Sequence, residues 1–330
     1  MYVVQLVLLC TKLCFYVPDM DLGGTLKLLM DHSLKASTLK TYTSAQTRFI
    51  NFCRSYSLTP YPVSESTLLY YISFLFKEGL KGNSIRVYLS AVRNLNIMND
   101  CIPLPHTPKI LMALKGAVTL SDPPSRKLPI TFAILEQIIP LLTLRKDGPM
   151  LSLAITTAFF GCLRAGELCL PDATMFNPAI HLCFNDVTIC FTEKLFKLRI
   201  KVSKTDKYSN GTTVHVGCSG NNICSYCLMC VYIAGRHNAH PLSPRFLDST
   251  GHILTKSLFI ASTKLLLALL GYDPNKYSGH SFRAGAATTG ADKGFDDWQL
   301  KMLGRWASNA YNIYLRNPKV VASFATVLAS

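Results

Sequence analysis

The stretch "GHSFRAGAATTG", Gly279 to Gly290, decides how this 330-residue chain is read. Its His280 and Arg283 stand three residues apart, which puts both on one face at the head of a helix. The small residues Ala284, Gly285, Ala286 and Ala287 follow, so a bulky neighbour can come close to the backbone. A helix N-terminus with an arginine beside it forms an anion site. A histidine that only caps the helix would account for His280 and leave Arg283 unexplained.

Three further stretches set polar groups beside apolar helix. In "FFGCLRAGEL", Phe159 to Leu168, Arg164 follows a run of apolar and small residues, with Glu167 three residues on. Buried guanidinium groups need a partner, so an Arg164–Glu167 bridge is the plain reading. "SKTDKYSNG", Ser203 to Gly211, places Lys204 at a turn, with Lys207 as a rival. "LGRWASNAYNIYLRNP", Leu303 to Pro318, carries Trp306, Tyr311, Tyr314 and Arg316, which core packing alone could explain.

Charge narrows the partner. Lys+Arg 34 against Asp+Glu 19 gives +15, with a net of +5 in residues 1–125 and +10 in residues 126–330. Folded positive surface on both halves suits a duplex nucleic acid better than a small neutral substrate. Twelve cysteines in a long chain, mostly inside apolar runs, point to a reducing compartment. The exception is "GCSGNNICSYCLMC", where Cys218, Cys224, Cys227 and Cys230 have half the spacing of a zinc site, flanked by His215 and His237. No matching second ligand pair lies close by, so packing or a helix start is the reading taken and no metal is expected.

The pattern divides the chain. Residues 1–29 read as an apolar leader of unknown role, interrupted by Lys12, too short to span a bilayer and without a convincing signal-peptide cleavage site. Residues 30–120 read as four short helices: Tyr42, Phe49, Cys53 and Tyr56 mark the first face. Leu68, Tyr71, Ile72, Leu75 and Phe76 follow the cap Ser64. Ile85, Tyr88, Leu89, Val92 and Leu95 form the third stripe, and Pro108–Lys115 the fourth helix. The three prolines of "SDPPSRKLP" make residues 121–130 the linker. In residues 131–330, helical runs at Phe132–Leu144 and Met150–Leu168 precede "DVTICF", "LFKLRIKV" and "TTVHV". These alternate as strands of a small antiparallel sheet, with Leu198, Ile200 and Val202 on one side. Helices resume at Ser257–Leu270. The expected fold is mainly α with a small antiparallel β-sheet.

Together the four stretches supply what metal-free phosphodiester cleavage needs. A tyrosine attacks, arginines neutralise the charge on the non-bridging oxygens, and a lysine protonates the departing 5′ oxygen. No carboxylate cluster for magnesium is visible. The order Arg164 with Glu167, Lys204 on a hairpin, His280-x-x-Arg283, Trp306 and Tyr314 resembles the tyrosine recombinases of the phage-integrase superfamily. "SGHSFRAGAA", "SKTD" and "GRWASNAYNIYLRN" resemble most the eukaryotic DIRS, Ngaro and Crypton retroelement and transposon branch. The likeness runs from about residue 30 to the end, the helical unit being similar to a SAM-like core-binding domain and residues 131–330 to the α+β catalytic domain.

The resemblance implies a site-specific DNA recombinase or integrase serving mobile-element integration. In it Tyr314 attacks a backbone phosphate and leaves a 3′-phosphotyrosyl link. Arg164 and Arg283 would clamp the phosphate, Lys204 act as general acid, His280 assist, and Glu167 orient the arginine or histidine. Trp306 stands where many members have a second histidine; its indole donates one hydrogen bond and cannot act as a base. Tyr311 is the rival nucleophile, and the "YLR" context favours Tyr314. The resemblance further implies no cofactor, double-stranded DNA as partner, a homo-tetramer on DNA, no membrane or small-molecule substrate, and a nuclear location. The apolar tail residues Val320, Val321, Phe324, Val327 and Leu328 would pack on a neighbouring subunit or on their own domain. A host-adopted DNA-binding protein without catalysis and a type IB topoisomerase-like enzyme are the alternatives.

Overall fold

A computed structural model of the chain describes residues 21–101, 104, 106–123, 126–203, 206 and 210–313. Lys204, Lys207, Tyr314 and the tail lie outside the described residues, as do residues 1–20. The chain separates into two compact units, Met1–Pro124 and Ser125–Ser330.

The first unit is helical: α1 (Leu22–Asp31), α2 (Ala36–Ser55), α3 (Glu65–Lys77), α4 (Gly82–Met98) and α5 (Pro108–Leu120). Helix α1 falls largely within the stretch expected to be a leader, and its Leu22, Leu26, Leu28 and Leu29 are exposed. Where α3 and α5 begin, side chains take up orphan amides: Ser64 Oγ accepts from Thr67 N at 3.1 Å, and Thr107 Oγ1 from Ile110 N at 3.4 Å. The apolar stripes then interlock. Phe49 and Phe52 of α2 meet Tyr71 of α3 with ring centroids 5.0 Å apart, above Leu75, Ile85 and Val92. Tyr56 departs from the expected stripe. It follows the last turn of α2 and is 60% exposed, and Phe52 fills the core position.

The second unit begins with α6 (Phe132–Ile138), which continues as a 3₁₀ turn over Ile139–Leu142 at Pro140. Next come α7 (Gly148–Phe160), buried almost throughout, and the four-residue α8 (Ala165–Leu168). The expected single run Met150–Leu168 is thus two helices. Gly161 ends the first and Cys162 turns the chain with φ 47°, a left-handed conformation that no helix continues through.

Strands β1 (Val187–Cys190), β2 (Leu195–Ile200) and β3 (Thr212–Gly217) form an antiparallel sheet in that order. Leu198 pairs with both Val187 and Val214. Phe196, Leu198 and Ile200 point into the core and Lys197 and Arg199 out, as strand alternation requires. Val202, expected on the same face, lies beyond the strand and is exposed. Helices α9 (Ser225–Ala234), α10 (Lys256–Leu269), α11 (Ser281–Asp292) and α12 (Asp297–Gly304) follow, then a 3₁₀ turn over Asn309–Ile313. The architecture is mainly helical with one small antiparallel sheet. No helix among the described residues is long and apolar enough to cross a membrane.

The small residues of α11 now have their explanation. Ile130 N donates to Ser281 O at 2.9 Å, which brings the end of the proline-rich stretch against the helix. A Cβ at Gly285 would overlap the Ile130 carbonyl oxygen. Backbone cannot yield as a flexible side chain can, so Gly285→Ala is expected to destabilise this unit by about 3 kcal/mol. Denaturant unfolding reads the loss directly, and a change under about 0.5 kcal/mol would contradict so close a contact.

Candidate phosphate-binding site

The break after α7 aims Arg164. As the residue before α8 it has extended backbone, φ −81° and ψ 143°, and its guanidinium reaches forward to Glu167, Nη1 to Oε1 at 2.8 Å. The other carboxylate oxygen, Oε2, accepts from the Arg164 amide at 2.9 Å and from Arg305 Nη2 at 3.0 Å. The Glu167 side chain is 4% exposed, those of Arg164 and Arg305 18% and 21%. One buried carboxylate therefore fixes two guanidinium groups. The expected Arg164–Glu167 bridge is present, and its arginine also lines an open cleft.

Arg305 owes its position to the end of α12, where it takes a left-handed conformation (φ 54°, ψ 44°). Gly304 before it has no room for a Cβ, because the Trp306 ring lies there. The second guanidine nitrogen, Nη1, donates to Gly161 O at 3.1 Å, tying α12 to the α7–α8 break.

Arg283 is 1% exposed. It donates from Nη1 to Cys162 O at 2.6 Å and from Nη2 to Gly304 O, and its guanidinium lies 4.3 Å from the centroid of the Trp306 ring. Burial lowers its pKa, and the charges of Arg164 and Arg305 push the same way. His280 and Arg283 therefore part company. His280 is exposed at the entrance of α11, where its side chain makes no capping bond, while Arg283 lies beneath the indole.

The open space in front of these groups is a cleft of about 430 Å³, lined by Arg164, Glu167, Ser203, Lys256 and His280 among others. Ser203 immediately precedes Lys204 in the chain. The cleft thus gathers Arg164, Glu167 and His280 from regions of sequence more than a hundred residues apart, while Arg283 and Trp306, packed on each other, are not among its lining residues. Lys204 and Tyr314 fall outside the described residues.

Two cationic contributors escaped sequence reading. Arg305 was hidden in "LGRW", where only the left-handed turn after Gly304 directs it toward Glu167. Lys256, at the first turn of α10, has no motif and reaches the cleft through tertiary packing. Two guanidinium groups, those of Arg164 and Arg305, share one carboxylate, Arg283 bonds only backbone carbonyls nearby, and Lys256 adds to the excess of positive charge. Such concentrated positive charge in a partly desolvated pocket is stabilised by an anion.

Tyr311 is fully buried, its ring 5.8 Å from that of Trp306. Its hydroxyl has the Asp297 carboxylate as its neighbour. Burial, with the Asp297 carboxylate adding to it, raises the phenol's pKa, the wrong direction for a nucleophile. Tyr311→Phe is expected to change stability by no more than about 1 kcal/mol, read by denaturant unfolding. A loss well beyond that would show that the Tyr311 hydroxyl holds the packing around Trp306.

No protein-family model and no curated protein matches the sequence. Among solved structures the chain is similar to the Tn1549 transposon integrase in complex with circular intermediate DNA. The TM-score is 0.62 and the identity 18%, over 88% of this chain and 94% of that one. It is similar also to a lambda integrase dimer bound to a core site (TM-score 0.57, identity 16%, 88% and 92% covered). The XerH site-specific recombinase bound to a palindromic difH substrate is a third (TM-score 0.57, identity 16%, 82% and 73% covered). The chain therefore has the integrase fold.

Proposed function

We propose that this protein breaks and rejoins DNA through a 3′-phosphotyrosyl intermediate. The observation that carries the reading is the convergence of Arg164, Lys256 and His280 on one cleft, where the Glu167 carboxylate that holds Arg164 also binds Arg305, in a fold shared with DNA-bound integrases.

The bond changes balance without an external energy source. The Tyr314 oxygen attacks phosphorus and gives up its phenol proton to His280, the bond to the 5′ oxygen breaks, and that oxygen takes its proton from Lys204. A phosphodiester becomes a phosphotyrosyl ester and a hydroxyl. The reverse attack by the hydroxyl of another strand releases the tyrosine and joins new partners. Arg164, held flat by Glu167, offers its free N–H groups to the non-bridging oxygens, and His280 donates or accepts at the cleft mouth. Arg283 reaches the phosphate once the indole of Trp306 swings aside, its bonds to the Cys162 and Gly304 carbonyls fixing its position until then. Trp306 would then place its N–H on the phosphate.

The first unit, in this reading, is a core-binding domain that closes on the duplex. The active assembly is a homo-tetramer serving integration of a mobile element of the DIRS, Ngaro or Crypton type, and it works in the nucleus without metal or ATP at the reacting phosphate. Two labelled duplexes sharing a recombination site, incubated with the full chain in chelator, test the class of reaction. Exchanged strands support it. Relaxation of supercoiled DNA without exchange would move the protein to the topoisomerase class, and salt-sensitive binding without any cut strand would make it a binding protein.

A further inference from the structure

Beyond the cleft, the loop joining β3 to α9 gathers three thiols. The Sγ atoms of Cys218, Cys224 and Cys227 all lie within 4.8 Å of one another, those of Cys218 and Cys224 being 3.5 Å apart. Tetrahedral zinc with Zn–S bonds of about 2.3 Å holds its sulfurs about 3.8 Å apart, so the three already have nearly the spacing of ligands. Core packing does not explain them. Cys218 and Cys227 are exposed, and only Cys224 is buried.

The loop is built to present these sulfurs. Cys218 N donates to Lys194 O at 2.8 Å, fixing the first ligand at the end of the sheet. Gly220, with φ 68°, reverses the chain, and Asn221 Oδ1 accepts from Ser219 Oγ and Ile223 N to hold the reversal. Ser219 N at 3.4 Å and Cys227 N at 3.5 Å both donate to Cys224 Sγ. Amide donors to a thiolate offset its charge and orient it, as the outer shell of a metal site does. Ser225, next along, bonds Thr157 of α7 in the core, so the start of α9 is rigid.

We infer that Cys218, Cys224 and Cys227 bind one zinc ion as thiolates, with the fourth position taken by water. This replaces the expectation from sequence, in which the missing second ligand pair argued for packing. Zinc needs only the three sulfurs and one further donor, and among the described residues no other histidine, cysteine or carboxylate shares that group. His215 and Cys230 stand outside it. Three thiolates select a soft, tetrahedral ion. The ion would tie the exit of β3 to the entry of α9, and with them the end of the sheet.

The test uses the full chain, expressed with zinc, purified in reducing buffer and desalted. Metal analysis is expected to give about one equivalent per chain. Cobalt replacement is expected to give the intense d–d bands of tetrahedral geometry together with thiolate-to-metal charge transfer. Cys218→Ser and Cys227→Ser, at exposed positions, should fold with unchanged far-ultraviolet circular dichroism and retain less than about a tenth of the metal. Cys230→Ser and Cys101→Ser should retain all of it. A folded wild-type chain without metal, or metal retained by both Cys218→Ser and Cys227→Ser, would overturn the site. DNA cleavage does not enter these readouts, so the zinc inference and the recombinase reading fail or stand separately.

Discussion

Arg164→Ala is expected to slow DNA strand cleavage by about 10³-fold while leaving the protein folded. Arg164 combines a fixed geometry with an open front. Glu167 holds it from one side, and the cleft of about 430 Å³ exposes the rest to a ligand. In the proposed reaction, removing it deletes a donor aimed at charge that grows as the pentavalent phosphorus forms. The buried carboxylate keeps the Arg305 guanidinium and its own hydrogen bond to the backbone amide of residue 164, so the folding cost should stay near 1 kcal/mol. Single-turnover cleavage of a nicked duplex and thermal unfolding separate the two effects. A lysine should rescue poorly, because an ammonium cannot make the planar, paired contacts of a guanidinium. Cleavage within tenfold of wild type in Arg164→Ala would remove this residue from the phosphate.

Glu167→Ala is expected to show the reverse balance, with stability suffering first. Its carboxylate is the only acidic group bonded to Arg164 and Arg305 among the described residues, and its side chain is 4% exposed. Without it two guanidinium groups face each other and Arg283 with no counter-charge. A loss of about 3–5 kcal/mol follows from stranding buried charge, or roughly 10 °C in Tm for a unit of this size. Cleavage should fall by about 10²-fold through misplacement of Arg164. Glu167→Gln keeps an acceptor but not the charge and should lie between. If Glu167→Ala melts within 2 °C of wild type, about the effect of a surface substitution, the three arginines are not held as described.

The contrast between the two substitutions bears on what sequence could reveal. Arg164 and Glu167 were legible as a pair because helical spacing alone brings i and i+3 together. Their orientation was not, since it depends on Cys162 adopting a left-handed backbone that side-chain identity does not announce. The sheet was read from alternation at Phe196, Leu198 and Ile200, where one face is dry and the other wet. Arg283 was recognised as purposeful, but its burial under Trp306 required knowing that Gly304 lets the indole in. Lys256 gave no sign at all, because contact across distant helices leaves no local pattern. The cysteine loop was visible as spacing, and only the fold shows that three sulfurs meet.

The central claim is that Arg164, Lys204, His280, Arg283 and Tyr314 act on one DNA phosphate. The most direct measurement incubates the full chain with a nicked duplex that traps the cut strand, then denatures, digests with protease and maps the DNA-linked peptide by mass spectrometry. The account predicts one adduct, a 3′ phosphate on Tyr314, absent from Tyr314→Phe. An adduct on Tyr311 or any other side chain, a 5′ linkage, or bound DNA with every strand intact would contradict it.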